Sequence, residues 1–156
     1  MSKGTLWANG VPFEFTEKGL LLSPKRPKAW QVPVGGRVVS LHFLHCTTRP
    51  EKVIDHLYDR NNEMPKLVGR YIVHYEDGRT ESLRLTYRAN ITDWNSKLGA
   101  GECDLAWQGQ RPDGALVTLT TWEWLNPQPD KKIAALDAVR SSDQVNLILL
   151  AVTAKE

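Results

Sequence analysis

The stretch Gly69-Arg-Tyr-Ile-Val-His-Tyr-Glu-Asp-Gly78, continued by Arg79-Thr-Glu-Ser-Leu-Arg-Leu-Thr-Tyr87, decides the fold class of this chain. Apolar and aromatic residues occupy every second position on both sides of Asp77-Gly78, which is the period of a β-strand. Asp-Gly is a strong hairpin signal, because a type I′ turn requires positive φ at both central residues. The stretch therefore predicts an antiparallel hairpin, with one face carrying Tyr71, Val73, Tyr75, Leu83, Leu85 and Tyr87.

The strand pattern extends over most of the chain. Short apolar runs bounded by Gly, Pro and Asp-Gly turns predict about nine strands. They are 11–15, 20–22, 38–45, 69–76, 82–87, 104–109, 115–124, 133–139 and 145–153. The last run is apolar on both faces, which predicts a central strand. Only Pro50 to Leu57, inside the connection from Thr47 to Val68, could form a turn or two of helix.

These observations predict an all-β fold with a single domain over residues 1–156 and a core from about 10 to 154. An antiparallel β-sandwich or jelly roll fits the strand lengths, and a closed barrel is the alternative.

The chain has 20 Lys and Arg against 18 Asp and Glu, and its basic residues are scattered. A nucleic-acid partner is therefore not expected. The longest apolar stretch, Leu147–Val152, is far below the ~20 residues of a membrane span, so no membrane association is expected, and no signal peptide is predicted.

Sequence spacing indicates no metal or nucleophile site. Cys46 and Cys103 form no CxxC pair, and they are either two buried thiols or a single disulfide in an oxidising compartment. His42 and His45 are three residues apart, which places them on opposite faces of a regular strand, where they cannot share a metal. Neither a GxSxG nor a phosphate-binding glycine motif is present.

The order of motifs carries a family resemblance over most of the chain. The motifs are Val11-Pro-Phe13, Val32-Pro-Val-Gly-Gly36, Leu41-His-Phe-Leu-His45, Gly69–Gly78, Asn90-Ile-Thr-Asp-Trp94, Trp107-Gln-Gly109, Trp124-Leu-Asn-Pro-Gln-Pro-Asp130, Ile133 and Leu150-Ala-Val-Thr153. In this order they resemble galactose-binding-like β-sandwich domains, similar to discoidin-type and carbohydrate-binding modules, that are appended to bacterial glycoside hydrolases.

The resemblance implies a non-catalytic accessory role. The domain would target an attached glycoside hydrolase to a polysaccharide or oligosaccharide, with the neighbouring catalytic domain as its other partner. It would be secreted or periplasmic as part of a larger protein. No cofactor is expected, although such domains commonly hold a structural calcium ion.

Six tryptophans in 156 residues need an explanation, because aromatic faces both fill cores and stack on sugar rings. Strand alternation places Trp122 and Trp124 on one face, which is either the core or a concave sheet platform and which we interpret as the core. Trp7 is interpreted as packing or as a covering lid. The remaining tryptophans lie near polar residues that can bond sugar hydroxyls. The candidate carbohydrate-binding residues are Trp30, Asn90, Asp93, Trp94, Trp107 and Gln108. The metal site, if one exists, is not assigned.

Three alternatives stay open at this point. The basic segment Lys25-Arg-Pro-Lys28 is either a solvated loop or a contact for an acidic polysaccharide. The domain could instead pack structurally against a neighbour in a large extracellular enzyme, which would leave an exposed apolar patch. A small jelly-roll lyase or epimerase would need His74 or Tyr75, Arg84 and a carboxylate to converge in a groove.

Overall fold

The computed structural model describes residues 4–15, 19–48, 67–96, 101–142 and 145–156 as an all-β fold. The eleven strands in these ranges pair antiparallel, which confirms the predicted class. They are β1 Gly4–Ala8, β2 Val11–Phe15, β3 Leu20–Leu22, β4 Lys28–Pro33, β5 Ser40–Thr48, β6 Leu67–Tyr75, β7 Thr80–Thr86, β8 Cys103–Gln110, β9 Leu116–Leu125, β10 Ile133–Arg140 and β11 Asn146–Lys155. Within the same ranges, no helix has the length and apolar character needed to cross a membrane.

Two sheets form the sandwich. A four-stranded sheet has the order β4-β10-β6-β7, and a five-stranded sheet has the order β3-β11-β5-β9-β8. β11 lies inside the second sheet, between β3 and β5, so the predicted central position of the last strand is confirmed. The inward faces of both sheets supply one apolar core. The described strands form separate sheets and not the closed barrel that was the alternative.

A stack of aromatic rings fills the middle of the core. Phe43 lies on Tyr71 with ring centroids 4.5 Å apart, and Trp122 follows at 5.5 Å from Phe43. Phe43 and Trp122 come from adjacent strands of the five-stranded sheet and Tyr71 from the opposite sheet. Offset ring stacks of this kind add about 0.5–1.5 kcal/mol per pair beyond area burial. Tyr71, Val73 and Tyr75 thus share one face as predicted, and the interpretation of Trp122 as a core residue is confirmed.

The β1–β2 hairpin forms a third, partial layer. Its Phe13 is fully buried and packs with Leu44 and Ala151 on the outer face of the five-stranded sheet. We call this outer face the hairpin side of the molecule. The outer face of the four-stranded sheet, where Arg70 and Arg84 are exposed, is called the open side.

Two strands were not predicted, which accounts for eleven rather than nine. β1 precedes the two-residue turn Asn9-Gly10, in which both residues have positive φ (51° and 77°), the geometry of a type I′ turn. β4 is an edge strand bounded by Pro27 and Pro33 and interrupted at Gln31, whose φ is 54°. Prolines are tolerated there because an edge strand needs fewer ladder donors.

The turn expected at Asp77-Gly78 differs from the prediction. The hairpin exists, but Tyr75 and Arg79 close a three-residue loop in which only Gly78 has positive φ, at 85°. The Asp77 carboxylate accepts the Arg79 N–H at 3.1 Å and so stabilises the loop from its own side chain. The second Asp-Gly turn repeats this arrangement, with Gly114 at 82°.

The two cysteines are buried and unpaired, so the thiol alternative holds in this structure. Burial raises the pKa of both thiols to about 12. The helical turns suggested for 50–57 lie outside the described residues.

Candidate functional site: an aromatic surface on the hairpin side

Trp107 forms a flat, accessible surface on β8. It pairs with Leu119, whose side chain packs toward the β1–β2 hairpin, so the indole lies on the hairpin side. The ring is laid over Gly109, where an added Cβ would come within 2.1 Å of it. Trp107 remains 43% exposed. One face of the indole therefore rests on the strand, and the residue keeps a large area in contact with solvent.

Trp94 reaches the same side from the loop after β7. Its backbone N–H donates to the Thr47 carbonyl and its carbonyl accepts the Thr118 N–H, so the loop runs between β5 and β9 in the plane of the sheet. The preceding Asp93 points inward, and alternation directs Trp94 outward. The Arg111 guanidinium lies 5.6 Å from the Trp94 ring centroid, within range of a cation–π contact.

Arg111 contacts Trp94 and lies on the same side of the sheet as Trp107. It follows Trp107 and Gly109 at intervals of two residues, so the three share one side of β8 and its extension. Its guanidinium forms an ion pair with Asp113 at 2.9 Å. The resulting surface contains two partly exposed indoles, one cation and one carboxylate. Such a surface can stack on an apolar ring face and donate hydrogen bonds beside it.

Asn90 and Asp93 are directed into the protein, with exposures of 7% and 5%. The Asn90 side chain accepts the Thr86 N–H at 2.8 Å and donates to the Arg84 carbonyl at 2.8 Å. The Asp93 carboxylate accepts the Thr47 hydroxyl at 2.6 Å and the Tyr87 hydroxyl at 2.7 Å. These bonds fix the loop that carries Trp94. Their role as direct sugar contacts stays a prediction.

The Asp93 bonds also affect Tyr87. Burial, together with the hydrogen bond to the Asp93 carboxylate, raises the pKa of Tyr87 to about 12. The phenol therefore remains a proton donor to the carboxylate throughout the physiological pH range. The loop that carries Trp94 is accordingly held by a hydroxyl that keeps its proton near neutral pH.

Gln108 and Trp30 lie apart from this surface. Gln108 pairs with Thr118 and so projects to the opposite side of β8 from Trp107, where its side chain is 3.5 Å from the Thr118 hydroxyl. Trp30 is 59% exposed, but it belongs to β4 of the other sheet. The six candidate residues therefore occupy several places, and only Trp94 and Trp107 present rings on one side.

The remaining tryptophans divide as follows. Trp122 is 7% exposed and Trp124 packs partly buried against the same core, which confirms the interpretation of that strand face. Trp7 is 67% exposed on the solvent side of β1, so the interpretation as packing is wrong, and the interpretation as a covering lid stays a prediction. The reason is that side chains alternate along β1, and Leu6 and Ala8 occupy its inward positions.

His42 and His45 point to opposite faces of β5, as the alternation of side chains along a strand predicts. His45 faces the core, where its Nε2–H donates to the Asn90 carbonyl and its Nδ1 accepts from the Tyr71 hydroxyl, at 2.9 and 3.0 Å. Burial lowers the pKa of His45 to about 4. His42 faces the other way, near Ser40 and Glu123.

The His42 cluster is not arranged for proton relay. The Ser40 hydroxyl and the Glu123 carboxylate approach the same ring nitrogen, Nε2, at 3.1 and 3.4 Å. A relay needs the base and its orienting carboxylate on different nitrogens. Ser40 is also fully buried, and burial lowers the pKa of His42. The three residues therefore form a structural contact.

The residues named for a lyase or epimerase do not converge. Tyr75 is buried and donates to the Asn126 side chain, whereas His74 lies on the open side and bonds Asp137 at 2.6 Å. Arg84 pairs with Arg70, four residues along β6 from His74. In the described part of the chain, no group of three or more His, Cys, Asp or Glu side chains is placed to hold a metal ion. A structural calcium stays a prediction.

Sequence reasoning missed the two residues that complete the Trp107 surface. Gly109 follows Trp107 by two positions, and the strand period alone indicates that it lies under or beside the ring. Arg111 follows by two more, after which Pro112 and Asp113 begin the turn. Its contact with Trp94 depends on how the loop after β7 inserts beside β5, which no local pattern reveals.

The motif order led to a comparison with galactose-binding-like domains, and that resemblance stays a prediction. No family model matches the chain, and no match was found among curated proteins or among solved structures.

Proposed function

We propose that this chain is a non-catalytic carbohydrate-binding domain whose binding surface is the hairpin side around Trp94 and Trp107. In this proposal it belongs to a larger secreted or periplasmic protein and holds an attached glycoside hydrolase near its polysaccharide. The observation that carries the proposal is the placement of Trp107, laid flat over Gly109 and 43% exposed. A contiguous exposed apolar surface is a stronger sign of a binding site than a single exposed side chain, and Trp94 lies on the same side of the sheet as Trp107.

The chemistry of the surface suits a sugar. A pyranose ring presents a flat patch of C–H groups, which stacks on an indole face, and hydroxyls at its edge, which need donors and acceptors. Arg111 and Asp113 supply both beside the two rings. Because only two rings and a few exposed polar groups take part, we expect modest affinity, since ordering costs absorb much of the gain.

Calorimetry of the chain against a panel of uncharged oligosaccharides tests the proposal. Binding should appear for at least one member, and Trp107→Ala should weaken it about tenfold, which corresponds to about 1.4 kcal/mol. Trp30→Ala is the matched control, because Trp30 is also an exposed strand tryptophan but lies in the other sheet. A folded chain that binds no member of the panel, or equal loss in both variants, contradicts the proposal.

A second candidate, docking of a neighbouring domain, is favoured by one observation. Val39 and Leu125 are 50% and 68% exposed on the adjoining ends of β5 and β9, next to the bond between the Asn126 N–H and the Val39 carbonyl. Replacing both with Ser should leave oligosaccharide binding unchanged. If docking is the function, the same double variant lowers the melting temperature of the two-domain protein but not of the isolated chain.

A further inference from the structure

A line of basic residues crosses the open side from one edge to the other. The strand registers place Lys28 opposite Val139, Val139 opposite Arg70, and Arg70 opposite Arg84. One row thus runs across β4, β10, β6 and β7, and three of its four positions are cations. Adjacent strands lie about 4.8 Å apart, so the row extends about 15 Å.

The cations of this row are exposed and have no carboxylate partner among the residues that the structure describes. Lys28, Arg70 and Arg84 are all solvent-exposed. No Asp or Glu within the described ranges lies at ion-pair distance from any of them. Asp137, the carboxylate of the next row, is buried and already accepts the Gln31 N–H and the His74 ring. No carboxylate of the described ranges therefore offsets the positive charge of the row by a direct ion pair.

The pair Arg70–Arg84 is unfavourable for the fold itself. Directly opposed residues of antiparallel strands have Cβ atoms about 5 Å apart, and like charges there destabilise the sheet. The neighbouring pair, Tyr71 and Leu83, faces inward and packs in the core. The outward pair of arginines has no such packing role. An anion bound between them would remove the repulsion.

Trp30 adds an aromatic surface at one end of the row. It follows Lys28 by two residues on the same strand, and the Lys28 ammonium lies 5.4 Å from its ring centroid. With 59% of its surface exposed, the indole is accessible beside the cations. The open side therefore offers a stacking surface followed by a line of positive charge.

We propose that the open side is a second binding site, for an acidic polysaccharide whose carboxylates or sulfates lie along Lys28, Arg70 and Arg84 while one sugar ring stacks on Trp30. A row of about 15 Å is longer than one pyranose ring, which favours a polymer over a monosaccharide. Nucleic acid fits less well, because its binding at physiological salt depends on many neutralised phosphates, about 6–10 in well-studied proteins. The site does not depend on the hairpin side, so it stands if the proposed function there fails.

Affinity electrophoresis in gels containing dextran sulfate, with uncharged dextran as the reference polymer, tests the site. Retardation should occur with dextran sulfate only and should decrease as salt is added. Arg70→Ala with Arg84→Ala should reduce the apparent affinity at least tenfold, and Trp30→Ala should reduce it by a smaller factor. Polygalacturonate beside its methyl ester distinguishes carboxylate from sulfate recognition.

Matched variants separate the row from general charge. Lys155→Ala removes one exposed cation from the other sheet, and its effect should be much smaller than that of Arg84→Ala. The Arg70 and Arg84 variants should melt at or above the temperature of the unmodified chain, since they relieve repulsion. Equal binding by the double variant and the unmodified chain overturns the proposal. Equal affinity for a single-stranded oligonucleotide overturns the assignment to polysaccharide.

Discussion

The two outer sides of the sandwich differ in cover and in charge. On the hairpin side, a third layer covers part of the sheet, and the accessible indoles Trp94 and Trp107 lie beside an arginine that is paired with Asp113. On the open side, Lys28, Arg70 and Arg84 have no carboxylate partner among the residues that the structure describes. The described hairpin side thus presents two indoles beside an ion-paired arginine, and the described open side presents three cations beside one indole.

The difference shows how one scaffold can present two surfaces without changing its core. Side chains alternate across every strand, so each sheet has an inward set that packs and an outward set that is free to vary. The inward sets meet in one aromatic stack. The outward sets have no contact with each other, and we expect their ligands and their variants to act independently.

Acid should produce the largest effect, because it acts on the interior that both sides share. Burial lowers the pKa of His45 to about 4, from an ordinary value of 6.5. Between these values the unfolded chain takes up a proton that the folded chain does not, so the free energy of unfolding falls as the pH falls. The full loss is about 3 kcal/mol, measured as urea midpoints from pH 7 to pH 4. Because the interior is shared, both surfaces should lose binding together at the urea concentration where the chain unfolds.

Two variants identify His45 as the source. His45→Phe should cost about 2 kcal/mol at pH 7, because Asn90 and Tyr71 lose their partner, and should flatten the pH dependence. Tyr71→Phe should cost about 1 kcal/mol at every pH and leave the dependence in place. An unchanged pH dependence in His45→Phe contradicts the assignment.

Asp137→Asn should have an intermediate effect, confined to the open side. The carboxylate is buried and accepts the Gln31 N–H at 2.7 Å and the His74 ring at 2.6 Å, so it holds the irregular part of β4 against β10. An amide can keep the Gln31 bond, but it replaces the carboxylate acceptor at the His74 ring with a neutral group, which should cost about 1–2 kcal/mol in urea unfolding. Asp104→Asn, an exposed carboxylate on β8, should change stability by less than about 0.5 kcal/mol. Equal effects of the two substitutions on stability would contradict the structural role assigned to Asp137.

Gly109→Ala should have the smallest effect, and only on the hairpin side. The new methyl group would occupy the position of the Trp107 ring, which must then leave the strand. Affinity for an uncharged oligosaccharide should fall about fivefold, or about 1 kcal/mol, without loss of the tryptophan. Gln110→Ala on the same strand serves as the control. Binding to dextran sulfate should be the same in both variants. Weaker dextran sulfate binding in Gly109→Ala would contradict the independence of the two sides.

The strand period predicts much of the fold, but the Asp-Gly signal alone does not predict the length of the loop at Asp77-Gly78. A two-residue turn at Asp77-Gly78 would place Arg70 opposite Leu85 and set an outward residue against an inward one. The three-residue loop instead pairs Arg70 with Arg84 and Tyr71 with Leu83, so the apolar faces align. A register shift of one residue moves every side chain to the other face, and the alternation on both strands therefore selects the longer loop.

The candidate site was less accessible to sequence reasoning. Alternation placed Trp122 and Trp124 correctly because they lie in one long strand. It could not show that Trp30 and Trp107 belong to different sheets, since those sheets are assembled by pairing between distant segments: β4 with β10, and β5 with β11. Asn90 and Asp93 were selected as polar residues near a tryptophan, and polarity alone does not tell a ligand contact from a loop anchor.

The position of β11 has a consequence for biosynthesis. This strand is made after the ten other strands that the structure describes, yet it separates β3 from β5 and pairs with both. While the chain emerges from the ribosome, β3 has no neighbour in its sheet until residues 146–155 arrive. Long-range pairing of this kind makes folding slow and leaves apolar strands unpaired in the meantime. A polypeptide released before Asn146 should therefore require chaperones and be a substrate for proteases.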